Sequence, residues 1–348
     1  MKYFIVSDTH SFYTALKNSL DESGYDINNP DHCFILAGDL FDRGHESAEI
    51  LKFVQSIPKE RRVLIRGNHE YLLRNLVKDK WYPEDYDWSN GTVFTMYQLY
   101  KMRHPKTTIF KEYKRYNSLK NIQEYYMQQD WIETQKFTNF FYYNFNVRTF
   151  HMIQNDILKS GLLDWIFSDE WVNYYDLGNY VITHSFIPIE IPMTKKWGEF
   201  FPTGNPRYMP EWRTKSTESD WDRAMWDCPY ERFDSGLFDE EKKNGKTLVC
   251  GHWHAKDFHI HYETELLNYR AKYYRNNFSN TTNEIYYGDN LIALDACTVL
   301  SGFVNVLVID DKCEAYNQHG EKLTKELSKS KLIMTKPIIE TVTVKPKE

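Results

Sequence analysis

Short apolar runs recur along the chain, and each one ends where polar residues begin. The runs cover residues 3–6, 33–37, 62–65, 180–182 and 247–250. Apolar runs of this length are typical of buried strands. After the second run, Ile50, Leu51, Phe53 and Val54 fall on one side of a helix predicted over residues 45–56. The first eighty or so residues therefore predict strands that alternate with helices, as in an α/β fold.

Residues of metal-binding types follow these runs. They are Asp8, His10, Asp39, Asn68, His184, His252 and His254. In open α/β sheets, ligands bind at the carboxyl ends of the strands, where side chains far apart in sequence meet. We therefore predict that these side chains form one site for two metal ions.

The residue types indicate which ions the site would hold. Two cations roughly 3.5–4 Å apart need a bridging ligand, and the carboxylate of Asp39 is the predicted bridge. Neutral imidazoles suit transition metals, while Asn68 supplies an uncharged oxygen. The mixed set favours two divalent transition-metal ions over calcium or magnesium, with manganese as the first choice and iron, zinc or nickel as alternatives.

Each of these residues also has a purely structural interpretation. A single histidine after a strand is more often a structural residue than a ligand. However, five of the chain's twelve histidines fall in or beside these strand ends, and that recurrence favours a common site. Asp42 could instead cap the helix over residues 45–56, and Arg43 could be a solvated loop residue.

Five blocks together resemble the calcineurin-like metallophosphoesterase superfamily across residues 1–254. The blocks are residues 8–10, residues 38–44, residues 67–70, His184 and residues 251–254. The sequence Asp42-Arg43-Gly44 makes the second block most similar to bacterial and phage serine/threonine phosphatases. The last block departs from them, because it reads Gly-His-Trp-His. The resemblance implies a calcineurin-like four-layer α/β/β/α sandwich, in which two sheets pack face to face with helices outside.

The resemblance also assigns roles. It places Asp8, His10, Asp39 and His254 on the first metal ion, and Asp39, Asn68, His184 and His252 on the second. His69 would be the general acid, Asp42 would orient its ring, and Arg43 would clamp the phosphoryl oxygens. Arg223 lies between Trp221 and Trp226 and is either a second phosphate clamp or a structural residue stacked on the tryptophans.

The spacing of the blocks predicts the domain organisation. At 348 residues and 41% hydrophobic, the chain could form one elaborated domain or two. Since the predicted ligands span residues 8–254, we expect one metallophosphoesterase domain over residues 1–317, with further strands at 291–294 and 303–309. A mainly helical cap would be inserted at about 81–175 and a second insertion at about 186–246, and residues 318–348 would form a C-terminal tail.

Charge and cysteine content exclude some partners and compartments. The net charge of −6 argues against general binding to nucleic acid. Five cysteines without C-x-x-C spacing favour free thiols in a reducing compartment. No apolar run is long enough for a signal peptide core or a membrane span. These features predict a cytoplasmic protein that does not act at a membrane.

Three functions fit this sequence. The leading hypothesis is metal-dependent hydrolysis of a phosphomonoester, including phosphoserine or phosphothreonine in a phosphoprotein, and Asp42-Arg43-Gly44 favours it. The alternative is a phosphodiesterase or nucleotide pyrophosphohydrolase acting on a dinucleoside polyphosphate or cyclic nucleotide, which Gly-His-Trp-His favours. A binding module without turnover is least favoured, because the chain keeps His69 and the whole predicted ligand set.

Overall fold

Strands and helices alternate through most of the chain. The computed structural model describes residues 1–107, 146–196, 199–263 and 282–325. The strands in these ranges are β1 (Lys2–Val6), β2 (His32–Ala37), β3 (Arg62–Ile65), β4 (Trp171–Val172), β5 (Tyr174–Leu177), β6 (Tyr180–Thr183), β7 (Ile189–Glu190), β8 (Met193–Lys196), β9 (Glu199–Pro202), β10 (Arg207–Tyr208), β11 (Thr247–His254), β12 (Tyr286–Gly288), β13 (Leu291–Asp295), β14 (Leu307–Ile309) and β15 (Ala315–Tyr316). The α-helices are α1 (Tyr13–Glu22), α2 (Ser47–Ser56), α3 (Asn68–Lys78), α4 (Asp85–Ser89), α5 (Thr92–Arg103), α6 (Val147–Lys159), α7 (Leu162–Ile166), α8 (Trp212–Lys215), α9 (Glu218–Ala224), α10 (Pro229–Asp234), α11 (Asp239–Lys243), α12 (Ala255–Glu263) and α13 (Thr298–Ser301).

The first sheet has six strands in the order β15-β14-β1-β2-β3-β4. Strands β1 to β4 run parallel, and β14 and β15 add antiparallel edges. Because β1, β2 and β3 are parallel, their carboxyl ends lie on the same edge of the sheet. This arrangement brings the segments after these three strands close together.

The second sheet has five strands in the order β12-β13-β11-β6-β5. Here β13, β11 and β6 run parallel, whereas β12 and β5 are antiparallel edge strands. Strand β6 leads to His184, and His252 lies in the last part of β11. Two small sheets, β7 with β10 and β8 with β9, lie outside the two main ones.

Alternating side chains divide the interior into three cores. In β1 and β2, Phe4 and Phe34 point to helices on the outer face of the first sheet. Their neighbours Ile5 and Ile35 pack against residues of the second sheet such as Val249. On the far face of the second sheet, residues of β6, β11 and β13 pack against α9, α10 and α12. These three cores separate four layers, so the predicted α/β/β/α sandwich is confirmed.

The strands predicted from the apolar runs are all present, with one difference in extent. The last of them was expected at residues 303–309, but β14 begins at Leu307. Before it, Val304 donates its backbone N–H to the Ser19 hydroxyl, and the Asn305 amide donates to the Leu294 carbonyl. These side-chain bonds take the place of strand pairing in this segment. Val304 and Val306 are nevertheless fully buried, which explains the apolar pattern.

The segment predicted as a cap contributes to the main core. Side chains of α5 and α6, including Met96, Leu99, Phe150 and Ile153, belong to the same cluster as the outer face of the first sheet. These helices are therefore part of an outer layer. Strand β4 begins at Trp171 and pairs with β3, and β5 begins at Tyr174 and pairs with β6. The boundary of the cap at about residue 175 stays a prediction.

The other predicted boundaries stay predictions. Residues 108–145 of the cap and 326–348 of the tail lie outside the described residues. The second insertion at about 186–246 contains β7 to β10 and α8 to α11. The proposed extent of the domain, residues 1–317, is not decided by these elements.

Two expectations about the environment can be compared with the structure. None of the helices in the described ranges is both long and apolar enough to cross a membrane. All five cysteines are free thiols, and four of them are buried.

A buried ionic cluster holds the second insertion on the outer face of the second sheet. Glu241 is only 2% exposed, and its carboxylate accepts hydrogen bonds from the Trp212 indole at 2.9 Å and the Tyr208 hydroxyl at 2.9 Å. Arg213 binds the same carboxylate at 2.7 Å and also binds Asp176 of β5 at 2.8 Å. The cluster thus connects α11, α8 and β5.

We predict that Glu241→Ala lowers the free energy of unfolding by about 2–4 kcal/mol, because it leaves the buried partners of the carboxylate unpaired. Urea denaturation would measure the change. The matched control is Glu240→Ala, since Glu240 is exposed and pairs with Lys243 on the surface, and it should cost less than about 0.5 kcal/mol. Equal losses in both variants would contradict the prediction.

The same cluster predicts a pH dependence. Burial acts to raise the pKa of Glu241, but the bonds from Arg213, Trp212 and Tyr208 outweigh it and lower the pKa overall. A carboxylate whose pKa is lower in the native protein than in the unfolded chain stabilises the protein at pH values above the unfolded pKa. That stabilisation is lost as the pH falls through the native pKa. The difference in the free energy of unfolding between native protein and Glu241→Ala should therefore become smaller at acidic pH.

Candidate metal centre

The polar segments after β1, β2, β3 and β6 meet the last part of β11, which carries His252, between the two sheets. Six of the side chains brought together there are buried: Asp8, His10, Asp39, Asn68, His69 and His184. His252 is partly exposed. A cluster of buried carboxylates and imidazoles is costly without compensating charge, so its presence indicates a specific chemical role.

Tight bends direct these side chains into the cluster. Asp8, His10, Asp39 and His252 have φ values of 53°, 45°, 56° and 64°, in the left-handed region that non-glycine residues seldom adopt. Such strain is concentrated at functional sites, where the surrounding structure maintains it.

Glycine is required where the segments approach one another. A side chain at Gly67 would collide with the Asp39 carboxylate, and one at Gly251 would collide with Ser7 and Asp8. The absence of a Cβ at these two positions allows the segments to come into contact.

One group of possible ligands consists of His10, Asp39 and His69. Nε2 of His10 lies 3.8 Å from Oδ2 of Asp39 and 3.9 Å from Oδ1 of Asp8. The other ring nitrogen of His10, Nδ1, lies 3.0 Å from the Phe41 carbonyl oxygen. This contact orients the ring so that Nε2 faces the carboxylates.

A second group consists of Asp39, His184 and His252. Nε2 of His184 lies 3.4 Å from Oδ1 of Asp39 and 2.8 Å from Oδ1 of Asn68, while its Nδ1 lies 2.9 Å from the Ala37 carbonyl. The His184 and His252 rings are 5.1 Å apart, centroid to centroid. Asn68 therefore lies on this side of the centre, and its role as a ligand of the second metal ion stays a prediction.

Asp39 is common to both groups. Its Oδ2 faces His10 and His69, each at 3.8 Å, and its Oδ1 faces His184 at 3.4 Å. A carboxylate whose two oxygens face different sets of imidazoles has the geometry of a bridging ligand.

The electrostatics of the centre favour bound cations. Burial, together with the neighbouring Asp295, raises the pKa of Asp8 well above its usual range, and burial together with Asp8 does the same for Asp39. Burial also lowers the pKa of His184 to about 3 and that of His252 to about 2. The imidazoles are thus neutral, which is the form that binds metals. Two divalent ions would compensate the carboxylates, so the donor set fits the predicted metals.

His69 forms a buried pair with Asp42. Its Nδ1 lies 2.8 Å from Oδ2 of Asp42, and its Nε2 faces the centre, 3.8 Å from Asp39. Burial lowers the pKa of His69 although the bond to Asp42 opposes this shift. Asp42 itself is fully buried, and it does not cap α2, which begins at Ser47 with Glu46 as its N-cap.

Two threonines of α5 hold Asp42 in place, and sequence reasoning missed them. Thr92 donates its hydroxyl to Oδ2 of Asp42 at 2.6 Å, and Thr95 donates to Oδ1 at 2.9 Å. Both threonines are fully buried. Their spacing of three residues at the start of a helix is ordinary, so no local signal in the sequence distinguishes them.

Glu70 is a second residue whose role was missed. Its carboxylate accepts backbone N–H groups of Gly67 at 2.7 Å, Leu40 at 3.0 Å and Asp39 at 3.1 Å. It therefore ties the segment after β2 to the start of α3. Burial raises the pKa of Glu70 to about 7, although these N–H bonds oppose the shift. Its place in the Gly-Asn-His-Glu block was visible in the sequence, but its function was not.

The two predicted arginines occupy different environments. Arg43 has a left-handed backbone with φ of 61°. Burial lowers the pKa of His10 and His69 and the charge of Arg43 adds to that shift, whereas burial raises the pKa of Asp39 and the same charge opposes the rise. Arg43 therefore lies within electrostatic range of the centre. Arg223 instead forms an ion pair with Asp220, one turn earlier on α9.

His254 is not brought into either group of possible ligands in the described part of the chain. It pairs across the second sheet with Asp295 of β13, and its ring nitrogens lie 3.7 Å from Asp257 and 3.8 Å from Asp295. Its role as a ligand of the first metal ion stays a prediction.

Comparisons with known proteins identify a family and several similar sequences. The family model described as calcineurin-like phosphoesterase matches residues 1–256. Over 88 residues the chain is 34% identical to a symmetrical bis(5'-nucleosyl)-tetraphosphatase of Proteus mirabilis, which covers 23% of this chain and 31% of that protein. Over 90 residues it is 37% identical to an asymmetrical bis(5'-nucleosyl)-tetraphosphatase of Bacillus subtilis, covering 22% and 37%. The chain thus spans about a third of the length of these curated relatives.

A solved structure of a cold-active protein tyrosine phosphatase is also similar. It shares 12% identity with a TM-score of 0.43, over 95% of this chain and 80% of that chain.

We predict that Asp39→Asn lowers metal occupancy far more than Asp8→Asn, because Asp39 faces both groups of imidazoles and Asp8 faces one. Elemental analysis of protein purified with manganese would measure the metal content. Circular dichroism would show that both variants are folded. Two bound metals in Asp39→Asn would contradict the bridging geometry.

Proposed function

Because the chain belongs to the calcineurin-like phosphoesterase family, we propose that it hydrolyses phosphoric esters with two divalent metal ions. The proposed ligands are Asp8, His10, Asp39 and His254 for the first ion and Asp39, Asn68, His184 and His252 for the second. The observation that carries the proposal is the placement of Asp39, whose two oxygens face separate groups of buried imidazoles. Manganese is the proposed ion.

The bound ions would supply positive charge to the phosphoryl oxygens and would activate water as a nucleophile. The remaining chemistry belongs to the side chains. His69 would donate a proton from Nε2 to the leaving-group oxygen, because its Nδ1 is held by Asp42. Asp42 would keep the ring in one orientation and stabilise the protonated imidazole.

Arg43 supports a phosphomonoester as the substrate. Its guanidinium stays charged at any working pH and could bind two terminal phosphoryl oxygens at once. Its electrostatic effect on Asp39 and His69 is consistent with a position beside the bound phosphate. We therefore propose phosphomonoester hydrolysis, including phosphoserine and phosphothreonine, as the first function.

The second candidate is a nucleotide pyrophosphohydrolase. It is favoured by the curated relatives, which are bis(5'-nucleosyl)-tetraphosphatases. Both functions would use the same metal centre and the same general acid. They differ in the group that leaves and in the space that surrounds the phosphate.

One assay separates these functions from each other and from binding without turnover. Manganese-loaded protein would be incubated with an alkyl phosphomonoester, an aryl phosphodiester, a phosphoserine peptide and a dinucleoside tetraphosphate. Metal-stripped protein is the control. Release of phosphate only from monoesters supports the first function, and cleavage of the tetraphosphate with preference by orders of magnitude supports the second. No metal-dependent turnover of any substrate would overturn the proposal.

We predict that Arg43→Ala lowers monoesterase activity selectively. The expected loss is about 2–4 kcal/mol of transition-state stabilisation, because a dianionic phosphate loses a bidentate partner. Activity on a diester should fall less, since a diester carries one charge and a bulky group in the same place. Values of kcat/KM for the two substrates would measure the difference, and equal losses would contradict the clamp.

We predict that Thr92→Val lowers kcat for an alkyl phosphate by roughly 10-fold, because Asp42 loses a hydrogen bond that fixes the orientation of His69. A nitrophenyl phosphate should be affected less, since its leaving group needs little protonation. Thr92→Ser should restore activity, because it keeps the hydroxyl. Equal losses for both substrates, or no rescue by serine, would assign Thr92 a role in folding alone.

A further inference from the structure

Trp226 places a partly exposed aromatic ring at the edge of the metal centre. Its side chain is 42% exposed, and its ring lies 5.7 Å from that of His252 at an angle of 89°. His252 belongs to the group that contains Asp39 and His184. A solvent-accessible indole therefore stands directly beside a proposed metal ligand.

The backbone around Trp226 is fixed to the segment that carries His184. The Ser185 hydroxyl donates to the Asp227 carbonyl at 2.5 Å, and the Phe186 N–H donates to the Ala224 carbonyl at 3.2 Å. These two bonds hold the chain on both sides of Trp226. The indole is thus presented by a braced turn at the end of α9, and binding against it would cost little conformational entropy.

The position of Trp226 differs from that of other exposed apolar residues. Single exposed apolar side chains are common on protein surfaces and have no special meaning by themselves. Trp81, for example, is 74% exposed and packs against His151 of α6. Trp226 is exposed, its ring contacts His252 of the metal centre, and its backbone is held by bonds to the His184 segment.

We propose that Trp226 is a stacking surface for the nucleobase of a nucleotide substrate whose phosphate lies at the metal centre. The inference rests on the proposed phosphoesterase function and names its substrate class. An indole can stack on any base, because every base has a π face, and such stacking is tolerant of base identity. With a base on Trp226, the sugar would connect it to a phosphate beside His252.

The test compares substrates that carry a base with substrates that lack it. Adenosine 5'-monophosphate is paired with ribose 5-phosphate, and diadenosine tetraphosphate with inorganic tetraphosphate. For each pair, kcat/KM of the substrate with the base is divided by kcat/KM of the substrate without it. This ratio is measured in native protein and in Trp226→Ala. The expected result is a fall of this ratio by about 5- to 150-fold in Trp226→Ala, the equivalent of 1–3 kcal/mol for one stacked base.

Two further variants make the result specific. Trp226→Phe should retain most of the ratio, because phenylalanine keeps a ring. Trp81→Ala is the matched control, since it removes an exposed tryptophan elsewhere, and its ratio should equal that of native protein. An unchanged ratio in Trp226→Ala, or an equal fall in Trp81→Ala, would overturn the proposal. So would a loss confined to nitrophenyl phosphate, because the ring would then serve aryl leaving groups.

A binding measurement separates failure of this inference from failure of the proposed function. The phosphonate analogue of adenosine 5'-monophosphate, in which CH2 replaces the ester oxygen so that it is not hydrolysed, is titrated calorimetrically into manganese-loaded native protein and Trp226→Ala. Weaker binding to the variant supports the stacking surface, and equal binding overturns it, whether or not turnover occurs. Absence of turnover on all four substrates of the assay that tests the proposed function would instead overturn the phosphoesterase function.

Discussion

The burial of the Asp39 carboxylate is the constraint on which the centre depends. The Asp39 carboxylate is 1% exposed. Burial and the nearby Asp8 and Glu70 raise its pKa, because they make its negative charge less favourable. Glu70 cannot neutralise it, and instead fixes the peptide groups of Asp39 and Leu40. The protein therefore maintains the geometry of the site through backbone hydrogen bonds and leaves much of the negative charge to be compensated by cations.

The outer helical layer takes part in the same arrangement. Helix α5 packs into the core of the first sheet through Met96 and Leu99, and its first turn binds Asp42 through Thr92 and Thr95. One helix thus connects the stability of the outer layer with the orientation of His69. A change in the packing of α5 would reach the proposed general acid through two short hydrogen bonds, without altering any residue of the metal cluster.

The parts of the fold that could be predicted share one physical property. Runs such as residues 33–37 are buried on both faces of a sheet, so their apolar character is continuous, and the polar residue that ends each run is visible in the sequence. Strands β4 and β5 could not be recognised, because they are short and their aromatic side chains resemble those of the surrounding helices. Thr92, Thr95 and Glu70 act through tertiary contacts, and residue spacing contains no information about such contacts.

The difference between the interior and the edge of the centre explains why the chemistry is easier to infer than the substrate. Interior residues such as Asp39 and His184 are determined by burial, charge and the demands of a metal ion, and few residue types meet those demands together. At the edge, Arg43 is partly exposed and Trp226 is exposed, and we assign both to the substrate. The backbone on either side of Trp226 is held by bonds to the His184 segment. The fold therefore fixes an exposed ring beside His252, and the contact of this ring with a proposed metal ligand is the observation from which we infer a ligand there.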